Sequence, residues 1–189
     1  GMGFARLYSQ GKMDIFYDFL NKAAEVVESE GLIPRAFNDG IYYANDDSWA
    51  TLSDENGEIK YPYLTQIQVC YWSSGWGNSY DLASATTIAK HNPIINTNGD
   101  YYWILGGSKC TADSAKDFKY QKFIGNSTIN APEGAMFCIW CDYGDTDGAD
   151  DGKKVADDTA PVIVAFGGTL PETENLVTNG GTTDPAGET

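Results

Sequence analysis

The sequence predicts an α/β fold in which about four short parallel strands alternate with helices, a partial barrel with half the strands that close a (β/α)8 barrel. Three observations predict it. A helix-periodic segment is followed by a short extended apolar run, and that pair recurs along the chain. Each extended run is apolar in its body and turns polar or aromatic at its C-terminal end. The 189 residues, 42% of them hydrophobic, supply one ordinary core.

From Asp14 to Glu30, Ile15, Phe16, Phe19, Leu20, Ala23, Ala24, Val26 and Val27 recur at three- and four-residue steps, the pattern of an amphipathic helix. Gly31 supplies the stop. Pro34 to Phe37 then reads as the first strand and runs into Asn38-Asp39-Gly40. Ile67 to Trp72 reads as the second, followed by a Gly/Ser loop and a helix from about Tyr80 to Lys90. Pro93 to Asn98 is the third. A long polar segment leads to Gly134–Cys141, the longest apolar strand candidate, and Ala160–Phe166 reads as a short final helix. Residues 1–166 thus form the half-barrel domain, and 167–189, rich in Gly, Thr, Pro, Asn and Glu, read as a linker or disordered tail. Gly1 before Met2 reads as a scar of tag cleavage and carries no argument.

Charge narrows the partners. A formal net charge of −15 repels phosphate backbones and anionic headgroups, so neither nucleic acid nor a membrane surface is expected. No stretch approaches the roughly 18 apolar residues that span a bilayer, and no basic-then-apolar signal segment is read at the N-terminus. Cys138 and Cys141 form a Cys-x-x-Cys, but on a strand their sulfurs face opposite sides, and His91 is the only histidine. Buried thiols are expected there, with no metal and no cofactor. The acidic run from Asp142 to Asp151 lacks the spacing of an EF-hand and reads as a solvated loop.

Parallel crossovers bring the strand ends to one side, where α/β barrels build their sites. Those ends carry Asn38/Asp39, Trp72, Asn98/Asp100 and Trp140/Asp142. Flat aromatic faces suit the C–H faces of a sugar ring, while carboxylates and amides suit its hydroxyls. Trp72, Trp76, Tyr101, Tyr102, Trp103 and Trp140 are the candidate platforms, and Asp39, Asp100 and Asp142 the candidate hydroxyl partners. Core packing is the competing role for Trp72 and Trp140, and capping for Asp39 and Asp100.

Four segments in order carry a resemblance: Arg35-Ala-Phe-Asn-Asp-Gly-Ile-Tyr-Tyr43; Tyr71-Trp72 with Gly75-Trp76; Asn96-Thr-Asn-Gly-Asp-Tyr-Tyr102 with Leu105-Gly106; and Trp140-Cys-Asp142. Together they resemble strands five to eight of glycoside hydrolase family 20, the β-N-acetylhexosaminidases and lacto-N-biosidases. The resemblance implies substrate-assisted hydrolysis, in which the 2-acetamido oxygen of the sugar attacks its own anomeric carbon. It implies that Tyr102 holds the acetamido carbonyl, with Tyr101 the alternative if the register slips by one. Trp72 would enclose the acetamido methyl, Trp140 would lie beneath the ring, and Asp142 would bind sugar hydroxyls.

The family's Asp-Glu dyad belongs to strand four. The only Asp-Glu pair here, Asp54-Glu55, sits in a polar loop-like stretch and does not match it. The chain is therefore expected to bind an N-acetylhexosamine-containing glycan and to be inactive alone, with a non-catalytic carbohydrate-binding module as the alternative. A half-barrel leaves two strand edges open, so either a homodimer or the missing N-terminal half-barrel is expected to cover them. The resemblance implies a secreted or cell-surface parent protein.

Overall fold

The structure, a computed structural model, describes residues 2–39, 56, 60–75, 82–140 and 149–171. Helices α1 (Met2–Ser9) and α2 (Met13–Ser29) come first. α2 buries Met13, Phe16, Tyr17 and Ala24 on one face; of the expected apolar positions Phe16 and Ala24 are buried, whereas Ile15, Phe19 and Val26 stay exposed, so the helix is as expected but its buried face is rotated. It ends in a Schellman motif: Gly31, at φ 72°, donates to the Glu28 carbonyl and Leu32 donates to the Val27 carbonyl. A residue with a Cβ would strain that left-handed turn.

The central sheet has the order β1-β2-β3-β7, formed by Arg35–Phe37, Gln68–Tyr71, Ile94–Asn96 and Gly134–Ala135. All three pairings are parallel, with Phe37 opposite Cys70, Cys70 opposite Ile95 and Ile95 opposite Gly134. Sequential strands lying side by side in parallel make a mixed α/β fragment of TIM-barrel type. Because side chains alternate, Val69, Tyr71 and Ile94 face the helices and join Tyr17, Leu64 and Ile88 in the main core, while Cys70 and Ile95 face the other way. A second core gathers Cys110, Ala115, Phe118, Val162 and Phe166.

Three elements depart from expectation. The run from Gly134 to Cys141 is not one strand: β7 stops at Ala135, and β8 (Ile139–Trp140) pairs instead with β4 (Trp103–Ile104). The cause lies in β3, whose chain leaves the sheet after Asn96 through a 3-10 turn at Gly99–Tyr101, so the neighbour available beyond Ala135 is the returning segment. Met136 still donates to the Asn96 carbonyl, but by Leu105 the partner is the Trp140 carbonyl.

The helix read over Tyr80–Lys90 is the short α3 (Ala85–Ile88), capped by Ser84, which accepts from the Thr87 amide; residues 76–81 lie outside the described set. The final helix is longer than the apolar pattern indicates, α5 running over Ala149–Gly167. Its polar first half is supported by the i,i+4 pairs Lys153–Asp157 and Lys154–Asp158. The polar segment before Gly134 also holds structure: α4 (Ala112–Ala115) with a Thr111–Ser114 capping box, and a hairpin of β5 (Lys122–Phe123) and β6 (Ser127–Thr128). Residues 172–189, most of the expected tail, lie outside the described set.

Candidate functional site

The polar residues at the strand ends are fixed by a set of buried and partly buried hydrogen bonds. Asn38, fully buried, donates from Nδ2 to the Ser73 carbonyl at 2.7 Å and accepts the Trp72 backbone N–H on Oδ1 at 2.9 Å. One amide thus ties the end of β1 to the end of β2. Asp39 accepts the indole N–H of Trp72 at 2.7 Å, which fixes the direction of that ring. Asn96 does the equivalent work beyond β3, donating to the carbonyls of Tyr120 and Lys122 and accepting the Asn98 amide at 3.1 Å. Gly99 lies tight on Trp72; a Cβ there would sit 2.9 Å from the Trp72 carbonyl oxygen.

These constraints bring three aromatic rings together, Trp72 just past the end of β2, Tyr102 just before β4 and Trp140 at the end of β8. Trp72 and Tyr102 stack with centroids 6.0 Å apart and planes at 15°. Trp140 lies 6.0 Å from Tyr102 and 6.2 Å from Trp72. Tyr102 is buried between them, whereas Trp140 keeps 40% of its surface exposed. The Tyr102 hydroxyl and the Thr97 hydroxyl are buried and have no hydrogen-bond partner among the described residues. Cys138 and Thr97 lie beside the phenol, yet neither meets it in hydrogen-bond geometry. Burial first, and Cys138 second, hold the phenol pKa far above its ordinary value, so Tyr102 stays a protonated donor. Cys70, on the same side of the sheet, is pushed up to about 11 by burial. Burial also raises Cys138.

Not every sequence candidate joins this cluster. Tyr101 turns the other way and packs edge-on against Phe118 at 5.1 Å, on the second core. Asp100 is exposed and, with Tyr101, Asn98, Asp117 and Lys122, lines a separate open depression of about 430 Å³. Trp103 is buried with Lys109 over its ring, a packing role. Trp76, Asp142, Cys141 and the Asp54-Glu55 pair lie outside the described residues, as does most of the acidic run from Asp142 to Asp151. Cys70, Cys110 and Cys138 are free thiols, and no three His, Cys, Asp or Glu side chains gather as a metal cluster among the described residues. Sequence reasoning gave no part to Thr97 or Cys138, the polar groups around the phenol. The available signal was a hydroxyl and a thiol placed where apolar strands end.

No family model matches the chain. Among solved structures it is similar to one from work on the tandem GH20 catalytic modules of the pneumococcal exo-β-D-N-acetylglucosaminidase StrH. The identity is 25% and the TM-score 0.63, over 88% of this chain and 39% of that one. The chain is a partial GH20-like domain. A second StrH structure, from work on N-glycan recognition and hydrolysis by this pneumococcal virulence factor, matches at 26% identity and a TM-score of 0.61, over 88% of this chain and 38% of that one. The GH20-like domain thus spans about two fifths of the length of the StrH chains it matches. No helix among its described residues is long and apolar enough to cross a membrane.

Proposed function

We propose that this GH20-like domain is the part of a β-N-acetylhexosaminidase that encloses the terminal N-acetylhexosamine, corresponding to strands five to eight of the barrel. The observation that carries the reading is the meeting of Trp72, Tyr102 and Trp140, with centroids 6.0–6.2 Å apart. The exposed Trp140 face offers apolar area to the sugar ring. The Tyr102 hydroxyl, without a partner among the described residues and held protonated, is a donor suited to holding an acetamido carbonyl in position while its oxygen attacks the anomeric carbon. Ring movement at Trp140 would have to uncover that hydroxyl. Asp39 orients Trp72 through one carboxylate oxygen, and Asp142 is assigned to the sugar hydroxyls by resemblance alone. The acid that protonates the leaving oxygen comes from outside this chain, whose Asp54-Glu55 is not assigned that role. A secreted or cell-surface parent protein accords with a glycan substrate.

The exposed Trp140 ring also favours a second reading, a carbohydrate-binding domain without chemistry. Tryptophan fluorescence separates the two. Titration with N-acetylglucosamine is expected to give a saturable change once the remaining part of a GH20 barrel is supplied, and no such change in Trp140→Ala. Saturable binding by this chain alone favours the binding-module reading, and no response in either state contradicts both.

A further inference from the structure

Among the described residues only two side-chain polar atoms are buried without a hydrogen-bond partner, Thr97 Oγ1 and Tyr102 Oη. Comparable groups elsewhere are paired. Asn92 donates to the carbonyls of Leu64 and Ile67 at 2.8 and 3.1 Å, and the Thr159 hydroxyl donates to the Val155 carbonyl at 2.7 Å. The direction of the Thr97 side chain follows from the sheet. Its amide donates to the Tyr71 carbonyl at 3.1 Å and continues the ladder between β2 and β3 by one residue, so the alternation of β3 still holds there. Asn96 points to the carbonyls of Tyr120 and Lys122, and Thr97, like Ile95, points to the side of Cys70. Tyr102 brings the second partnerless hydroxyl to that side, with Thr97 beside it. Two hydroxyls, each able to donate and to accept, thus lie side by side and unbonded in the aromatic cluster.

We propose that Thr97 is a positioning residue for Tyr102: its hydroxyl donates to the phenol oxygen when the sugar is bound and turns the phenol hydrogen towards the acetamido carbonyl. The proposal rests on the functional reading above and adds to it a residue that acts on the sugar only through Tyr102. A phenol hydrogen in the ring plane has two orientations, and a donor on one side of the oxygen removes one of them. Thr97 suits that work because its hydroxyl is committed to no carbonyl among the described residues, while its backbone is held by β2. The Cys138 sulfur, also beside the phenol, is a weak acceptor and does not compete with a ligand carbonyl. In the empty chain the two hydroxyls are unbonded, so Thr97 adds little to stability there. With the sugar present, the hydrogen bonds run from Thr97 to Tyr102 and from Tyr102 to the acetamido carbonyl.

The test compares Thr97→Val, which keeps the shape and removes the hydroxyl, with Thr97→Ser, which keeps the hydroxyl. Each is made in the full chain joined with the remaining part of a GH20 barrel, and turnover of 4-nitrophenyl N-acetyl-β-D-glucosaminide is followed. Thr97→Val is expected to lower kcat roughly fivefold or more with KM nearly unchanged, the scale of one neutral hydrogen bond, and Thr97→Ser to restore most of it. In a Tyr102→Phe background the same Thr97→Val change should alter kcat by less than about twofold, because the phenol oxygen through which it acts is gone. Urea denaturation and analytical ultracentrifugation check that the variants fold and join the barrel. Undiminished kcat in Thr97→Val, a loss that Thr97→Ser does not restore, or a loss that persists in full without the phenol oxygen overturns the proposal and leaves the functional reading standing. A joined barrel without turnover, or one indifferent to Tyr102→Phe, overturns the functional reading and this proposal with it.

Discussion

On the helix side of the sheet, Val69, Tyr71 and Ile94 are buried in one core with Tyr17 and Ile88; at the strand ends, Trp140 and Ile139 remain 40% exposed and two buried hydroxyls have no partner among the described residues. The first region has the features of a completed interior, in which apolar area is removed from water and polar groups are paired. The second concentrates aromatic surface and spare donors while leaving both unsatisfied. Stability therefore resides mainly in the first, and the proposed sugar-binding surface lies in the second.

Substitutions can break that division. The largest loss is expected from Ile88→Ala, whose side chain is fully buried in the main core; it should cost about 2–5 kcal/mol by urea denaturation. A loss below about 1 kcal/mol would mean that this core is not the stabilising region. Asn38→Ala removes a side chain that belongs to both regions, because it clamps β1 to β2 and positions Trp72. Leaving the Trp72 amide and the Ser73 carbonyl without their partner should cost about 1–3 kcal/mol, with altered tryptophan fluorescence as the second readout.

The pH dependence sharpens the comparison across both faces of the sheet. Cys70, Tyr102 and Tyr71 all have pKa values raised by burial, so the folded chain holds protons that the unfolded chain releases. Stability is then full below the ordinary thiol value of 9.0 and falls as pH rises towards about 11, where Cys70 itself ionises, with Tyr102 persisting as a phenol beyond that. Denaturation midpoints measured from pH 7 to 11 check the sign; a midpoint that rises over this window contradicts it. Smallest of all should be Thr97→Val, which exchanges an unpartnered hydroxyl for a methyl group of similar shape. Its stability should change by less than about 1 kcal/mol, and a larger loss would mean that the hydroxyl is bonded.

The sequence made parts of each region legible for different reasons. Helix α2 and the order of the strands could be read because apolar periodicity and turn residues are local signals. The break after Ala135 could not, since an apolar run does not announce that its neighbouring strand has left the sheet at Asn96. The polar start of α5 was missed for the opposite reason: charge pairs rather than apolar spacing support it. At the site, the Trp72 and Trp140 positions followed from ordered motifs, but periodicity gives no rule for which of Tyr101 and Tyr102 turns towards them. The 3-10 turn after Asn98 decides that, sending Tyr102 to the tryptophans and Tyr101 to Phe118. The same turn carries Asp100 away from the three rings to the neighbouring depression.

The central claim is that this chain contributes the sugar-enclosing wall of a hexosaminidase whose acid lies elsewhere. Its most direct test is hydrolysis of 4-nitrophenyl N-acetyl-β-D-glucosaminide by the chain joined with the remaining part of a GH20 barrel that carries the Asp-Glu dyad. Turnover is expected in the assembled pair, absent from either part alone and strongly reduced by Tyr102→Phe and by Trp140→Ala. A correctly assembled pair without turnover, or one whose turnover is indifferent to both substitutions, would contradict the account.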